Sequence, residues 1–225
     1  MKYGYVADAV FLQRPNRFIA QVLLNGQEET VHVKNTGRCK ELLVPGAKVY
    51  LEKGKNPARK TAWDLIAVEK GNRLINMDSQ LPNKVAEEWL AQGGLGQFSQ
   101  LLREQTWGAS RLDFCLKDAR RTKYVEVKGV TLEEGGKVYF PDAPTARGVK
   151  HLEELTRIRQ EGMEAAVLFV VQMNGVSSFS PNGATDPAFS DALRRAADAG
   201  VEIAALDCVV RPEEVRPGQR VPVVL

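Results

Sequence analysis

The sequence is poor in the residues that staple or ligate. Of its 225 residues only three are cysteine and two histidine. Cys39, Cys115 and Cys208 are odd in number, far apart and form no CxxC pair, which argues against a disulfide framework and a Cys/His zinc site. A reducing, cytoplasmic compartment is therefore expected. No apolar run approaches the roughly 20 residues needed to cross a bilayer, and MKYGYVADAV lacks the basic head and apolar body of a signal peptide. The expected protein is soluble, unexported and without a membrane partner. A phosphate loop and a nucleophile elbow are missing too, and Gly93-Gly94-Leu95-Gly96 follows a helical pattern rather than a strand, so it is no dinucleotide fingerprint. No small-molecule cofactor is expected, and a sugar-metabolising enzyme finds no support.

What is present is a sufficient core and an uneven charge. Hydrophobic residues make up 44% and aromatics 7%, far from the composition of a disordered chain. The formal net charge of +3 hides an asymmetry: residues 1–80 carry 13 Lys and Arg against 8 Asp and Glu, and residues 81–225 carry 18 against 20. A basic first third on a nearly neutral body suggests a polyanionic partner, although such a charge also occurs on ordinary soluble domains.

The patterning divides the chain at the same place. Up to residue 80 it reads as five short strands, at Arg17–Leu24, Glu28–Val33, Ala47–Glu52, Trp63–Glu69 and Arg73–Asn76, with turn-forming residues between them. Five strands in so short a span predict a small OB-like barrel, a fold that commonly binds nucleic acid on one face. Leu81-Pro82-Asn83 opens a helix, and from there strands and helices alternate: strands at Arg111–Lys117, Lys123–Val130, Val138–Phe140, Ala165–Met173 and Val201–Leu206, helices at Thr145–Gln160 and Pro187–Ala199. This predicts an α/β domain over residues 81–225. The run Ala165-Ala166-Val167-Leu168-Phe169-Val170-Val171 is apolar on both faces and belongs in the middle of a covered sheet.

The residues able to do chemistry lie on the first two strands of that domain. In Arg111-Leu112-Asp113-Phe114-Cys115-Leu116 and Tyr124-Val125-Glu126-Val127-Lys128, apolar and polar residues alternate, so Leu112, Phe114 and Leu116 are expected on one face and Asp113 on the other. If Asp118–Arg121 is the hairpin loop, Asp113 lies directly across from Glu126. Two opposed carboxylates about 5 Å apart at Cβ repel unless a cation or proton sits between them. Mg²⁺ is the expected ion, with Mn²⁺ as its substitute, because it takes one or two carboxylates plus waters and a substrate phosphate. Lys128, on the same face as Glu126, could stabilise an attacking hydroxide or the charge on a phosphorane-like transition state. Asp, 13 positions, then Glu-x-Lys is the spacing of restriction-endonuclease-like nucleases, written PD-(D/E)xK, although no proline precedes Asp113. The same residues also read as a solvent-facing hairpin with a cross-strand ion pair.

Four further segments extend this reading. Glu104 stands where such nucleases carry an additional acid, or is a solvated charge. Arg147 and His151, spaced i,i+4 with Lys150 beside them, put three potential cations into the first two turns of a helix, suited to phosphate or else paired with Glu153 and Glu154. Asn35-Thr36-Gly37-Arg38-Cys39-Lys40 is a turn with exposed amides and two cations, and Lys53, Lys55, Arg59 and Lys60 form a second basic loop. Here too, solvated cations around a tight glycine turn are the alternative.

The chain resembles the sugar fermentation stimulation protein A (SfsA) family. The resemblance is carried by Arg17–Ala20, Asn35–Arg38, Arg111–Phe114, Tyr124-Val125-Glu126-Val127-Lys128-Gly129-Val130-Thr131-Leu132 and Phe140-Pro141-Asp142-Ala143-Pro144-Thr145-Ala146-Arg147-Gly148-Val149-Lys150-His151-Leu152, spread over nearly the whole chain. It implies an N-terminal OB-like barrel joined to a C-terminal nuclease-like α/β domain. It also implies DNA as partner, bound largely without sequence specificity, and a link to the regulation of sugar utilisation genes. The expected site is Asp113, Glu126, Lys128 and Glu104, with Asp113 and Glu126 as metal ligands. The expected DNA contacts are Arg17, Asn35, Thr36, Arg38, Lys40, Arg147, Lys150 and His151. A DNA-binding regulator without chemistry stays open beside the nuclease.

Overall fold

A computed structural model describes residues 1–35, 37–56, 58–108 and 110–225. The first six strands are β1 (Val6–Asn16), β2 (Ile19–Leu24), β3 (Gln27–Val33), β4 (Lys48–Lys53), β5 (Trp63–Lys70) and β6 (Arg73–Asn76). β1 pairs with both β2 and β4, β4 with β5, and the parallel contact His32↔Asp64, Val33↔Leu65 joins β3 to β5, closing a five-stranded barrel of OB type. Its inside is filled by residues at alternate positions, among them Phe11, Val22, Val31, Val49, Leu51 and Leu65, all fully buried.

The sequence reading had included β6 among the five barrel strands and passed over β1. The reason is physical: two register irregularities, between Phe11 and Gln13 and between Gln13 and Asn16, break the period of two in Val6–Asn16. β6 is instead a hairpin partner of β5 outside the closed barrel.

The second domain holds α1 (Leu81–Ala91), β7 (Gln100–Trp107), β8 (Ser110–Lys117), β9 (Thr122–Val130), β10 (Leu132–Glu134), β11 (Lys137–Phe140), α2 (Ala146–Gln160), β12 (Glu164–Val171), β13 (Ser178–Pro181), α3 (Pro187–Asp198), β14 (Glu202–Arg211) and β15 (Glu214–Arg220). Its main sheet runs β15-β14-β12-β9-β8-β7, with the β9–β12–β14 centre parallel and the outer pairs antiparallel. The apolar run of β12 is the covered central strand: Ala166, Leu168 and Val170 pack with Val85, Ala86 and Leu90 of α1, while Val167 and Phe169 pack with Leu152 and Leu155 of α2 and Phe189 of α3. β7 was not anticipated, being a mostly exposed edge strand with little alternation. No helix is long and apolar enough to cross a membrane.

Polar contacts fix one domain on the other. Gln172 Nε2 donates to the Asn76 and Asp78 carbonyls, both at 3.1 Å, and Arg73 donates to the carbonyls of Asn174 (2.7 Å) and Gly175 (2.9 Å). The chain also crosses back: the Tyr3 amide donates to the Glu213 carbonyl at 2.9 Å, and Lys2 bridges Glu214, so the segment before the barrel lies on the α/β domain.

Candidate active site

Asp113 and Glu126 meet where β8 leaves β9. The β8–β9 ladder runs from Lys117↔Thr122 to Phe114↔Val125, the register that sets Asp113 across from Glu126, and it stops there. The Val127 amide, which the next ladder step would engage, donates instead to Asp113 Oδ2 at 2.8 Å, and Asn83 Nδ2 of α1 donates to Oδ1 at 2.9 Å. A side chain has replaced a backbone partner, and the strand turns.

The turn corrects the expected facing. Phe114 and Leu116 pack in the cluster under α1, but Leu112 joins the cluster of α2 and α3, so the three do not share a face. The neighbouring edge strand bends at the same level: the β7–β8 ladder skips from Arg103↔Phe114 to Gln105↔Leu112, and the residue between, Glu104, has φ +50°. Interrupted pairing on both sides of Asp113 breaks the alternation on which the sequence reading rested.

Glu126 points to the other helix. With Val125 and Val127 packed toward α1, its side chain lies against α2, where it is only 4% exposed. Its Oε1 accepts from Lys128 Nζ at 2.7 Å and from His151 Nδ1. Its Oε2 is buried and has no partner among the described residues. Burial pushes the Glu126 carboxyl up, but the His151 and Lys128 hydrogen bonds and the lysine charge outweigh it and hold the group below the usual range. Asp113 moves the other way, raised by burial and then by the charge of Glu126, with the Val127 amide and Asn83 opposing. The two acids thus feel each other and are pushed apart.

Two hard carboxylates, one with an orphaned buried oxygen, fit a divalent cation of the Mg²⁺ type, which leaves most of its coordination to water and substrate. Among the described residues no group of three or more His, Cys, Asp and Glu side chains could form an all-protein cage. Glu104 stands apart from the pair: it is solvent-facing and lies 3.5 Å from Arg111, although it lines the same hollow of about 420 Å³ as Asp113, Asn83 and Lys84.

The expected phosphate contacts separate into three groups. Arg17, Arg38 and Lys40 line one open groove of about 770 Å³ on the barrel, together with Gly37. Asn35 lines an adjoining cleft of about 290 Å³ between the domains, with Gly37, Asn83, Val127 and Gly129. Gly37 lines both groove and cleft, and Asn83 lines both cleft and the Asp113 hollow, so the three hollows adjoin one another from the basic barrel groove to Asp113. Thr36 lies outside the described residues. On α2, Arg147 and Lys150 are exposed, but His151 is buried and spent on Glu126, with Arg147 Nε 3.5 Å from its Nε2. Its place is behind the acid, not on a phosphate-facing surface. The helix is long enough for an i,i+4 face to turn inward, and spacing alone does not say which face.

Sequence reasoning missed Arg14 and Asn83. Arg14 donates to four backbone carbonyls, of Arg17, Asn35, Gly37 and Arg38, at 2.7 to 2.9 Å, tying the β1–β2 turn to the Asn35–Arg38 segment. Its signal is weak because β1 itself was hidden. Asn83 sits in the first turn of α1, and only the strand bend brings Asp113 to it.

Barrel, sheet and site together define a two-domain protein in which an OB-like barrel is fused to a restriction-endonuclease-like α/β domain. Comparison with known proteins agrees: the family model described as "SfsA N-terminal OB domain" matches residues 12–77, and that of "Sugar fermentation stimulation protein RE domain" matches residues 80–214. The chain belongs to the SfsA family. It is 53% identical to a sugar fermentation stimulation protein homolog of Desulfitobacterium hafniense, over 100% of this chain and 99% of that protein. A homolog from Clostridium beijerinckii is 50% identical, with both chains fully covered. A solved structure, that of Pyrococcus furiosus SfsA in complex with Ca²⁺, is similar with a TM-score of 0.89 at 29% identity, covering 100% of this chain and 98% of that one.

Proposed function

We propose that this protein is a metal-dependent phosphodiester hydrolase acting on DNA, gripped largely through phosphates. The observation that carries the reading is Glu126: one oxygen is held by Lys128 and His151, and the other is buried and unpartnered among the described residues, while its charge bears on Asp113. Asp113 and Glu126 would hold the ion, for which Mg²⁺ is the chemical fit; the Ca²⁺ bound by the Pyrococcus furiosus relative, a hard divalent cation of the same kind, supports this. Such an ion polarises a phosphoryl oxygen and lowers the pKa of bound water.

The chain's own residues do the rest. Lys128 has three N–H donors, of which Glu126 takes one, so the others serve the attacking water and the phosphate oxygens where negative charge grows. His151 fixes the Glu126 rotamer from behind. Asn83 and the Val127 amide hold Asp113 with both oxygens oriented. Arg17, Arg38 and Lys40 offer the phosphate contacts along the barrel groove.

Titration calorimetry with Mn²⁺ and a cleavage assay on labelled DNA test this together. Wild type should bind the ion and cut; Asp113→Asn should do neither. Lys128→Met leaves both ligands in place, so it should keep metal binding and lose roughly a hundredfold or more in cleavage rate, as for loss of one transition-state donor. No metal binding and no cutting by wild type would leave the second reading, a DNA-binding regulator of sugar utilisation genes, in possession of the same basic surfaces.

A further inference from the structure

A second basic surface adjoins the Asp113 hollow, outside the run of hollows described above. Its centre is a row of three side chains at one end of the barrel. The Lys53 amide donates to the Tyr5 carbonyl at 2.9 Å and Lys53 pairs with Trp63, so Tyr5, just before β1, lies in one row with Lys53 of β4 and Trp63 of β5. The Tyr5 and Trp63 rings are 5.9 Å apart between centroids, and Lys53 Nζ is 5.9 Å from the indole centroid. Tyr5 is 68% exposed, the most exposed large apolar or aromatic side chain among the described residues. Nothing in the fold requires an aromatic ring there.

The unpaired charge around this row is positive. Lys53 also lines a hollow of about 410 Å³ with Lys2, Lys55 and Lys84. Its two acids, Glu52 and Asp64, are already engaged by Lys34 (3.0 Å from Glu52) and Arg59 (3.0 Å from Asp64). Lys2, Lys53, Lys55 and Lys84 make no ion pair among the described residues. Lys84 lines both this hollow and the one containing Asp113, so the two adjoin, and Asn35 lines neither.

We infer that this row is a stacking platform for single-stranded nucleic acid, which carries an unpaired segment of the substrate away from the acid site. Exposed rings interleaved with unpaired lysines are the combination that holds a single strand: bases stack on the rings and phosphates meet the cations. In a duplex the base faces are already stacked and the rings have nothing to receive. The proposal rests on the nucleic-acid reading above and adds its substrate class, a nucleic acid with a single-stranded part.

The test is fluorescence anisotropy on the full chain in EDTA, where no cutting occurs. The probes are a labelled oligothymidine of about 16 nucleotides, near the upper site size of one OB barrel, and a duplex of the same length. Tyr5→Ala should weaken oligothymidine binding by roughly tenfold or more, the loss of one stacked base, while leaving duplex binding unchanged. Tyr5→Phe keeps the ring and should restore wild-type affinity. An oligothymidine affinity unmoved by Tyr5→Ala, an equal loss on duplex, or displacement by polyglutamate as effective as by oligothymidine would each overturn the platform. A protein that does not cut but whose single-strand binding depends on the Tyr5 ring keeps the platform and loses the hydrolase. A protein that cuts but is indifferent to Tyr5→Ala keeps the hydrolase and loses the platform.

Discussion

The two acids at the centre of the site are held in opposite electrostatic states, and their substitutions should show it. Asp113 is raised by burial and by Glu126, so at neutral pH its charge opposes folding: its contribution is most favourable below the unfolded carboxylate pKa and is lost as pH rises through the folded value. Glu126 is lowered, so its contribution is present above the unfolded pKa and is lost as pH falls through the folded value. Without metal at pH 7, Asp113→Asn should therefore raise Tm, because the amide keeps an acceptor for the Val127 N–H and sheds the repulsion. Glu126→Gln should lower it, because Lys128 and His151 lose a charged partner. Thermal denaturation in EDTA checks both, and a fall in Tm for Asp113→Asn would mean that the two carboxylates do not repel. Saturating Mg²⁺ should then raise the wild-type Tm and leave Asp113→Asn unmoved, since only a ligand that binds the native state shifts its stability. Activity and apo stability pull against each other at this one residue.

At the level of elements, the bend of β8 makes the site, and a glycine lets the cleft beside it close. A Cβ on Gly129 of β9 would stand 2.7 Å from both Gln172 Oε1 and Pro82 Cγ, so the strand, the interdomain glutamine and the start of α1 touch at a point where no side chain fits. Gly129→Ala should cost about 1–3 kcal/mol, as overpacking typically does, read as a lower midpoint in urea. An unchanged midpoint would show that α1 or Gln172 can give way freely. The sequence made much of this level legible. Strand β12 stood out because a strand covered on both sides has nowhere to put polar residues, and the Asp118–Arg121 hairpin set the Asp113 to Glu126 register correctly. Hidden were β1, where bulges erase the period, and β7, an exposed edge under little pressure to alternate. The bend at Asp113 was hidden too, because it depends on Asn83, 30 positions away. His151 was legible as a neighbour of the site but not as the buried support of Glu126, since a helix pattern gives a residue's face and not what that face meets.

On the scale of the whole molecule, charge sets how a polyanion is held. Contacts through Arg17, Arg38 and Lys40 to phosphates should make duplex affinity fall steeply with salt and vary little with sequence. Arg38→Ala should reduce the magnitude of the log–log salt slope by nearly one. Binding that ignores salt, or a slope unaltered by Arg38→Ala, would remove the groove from the interface. The lacing of Tyr3 to Glu213 bears on the order in which the molecule is made. Synthesis proceeds from the N-terminus at about 5–20 residues per second. All five barrel strands have been made once Lys70 is, whereas the partner of Tyr3 comes 210 residues after it. The barrel, with Tyr5 already bound to Lys53, can therefore form early on the ribosome while the backbone of residues 1–3 waits for its partners. The β14–β15 hairpin that receives them is made long after the barrel, so the seam that laces residues 1–3 to the α/β domain closes only once that hairpin has been made.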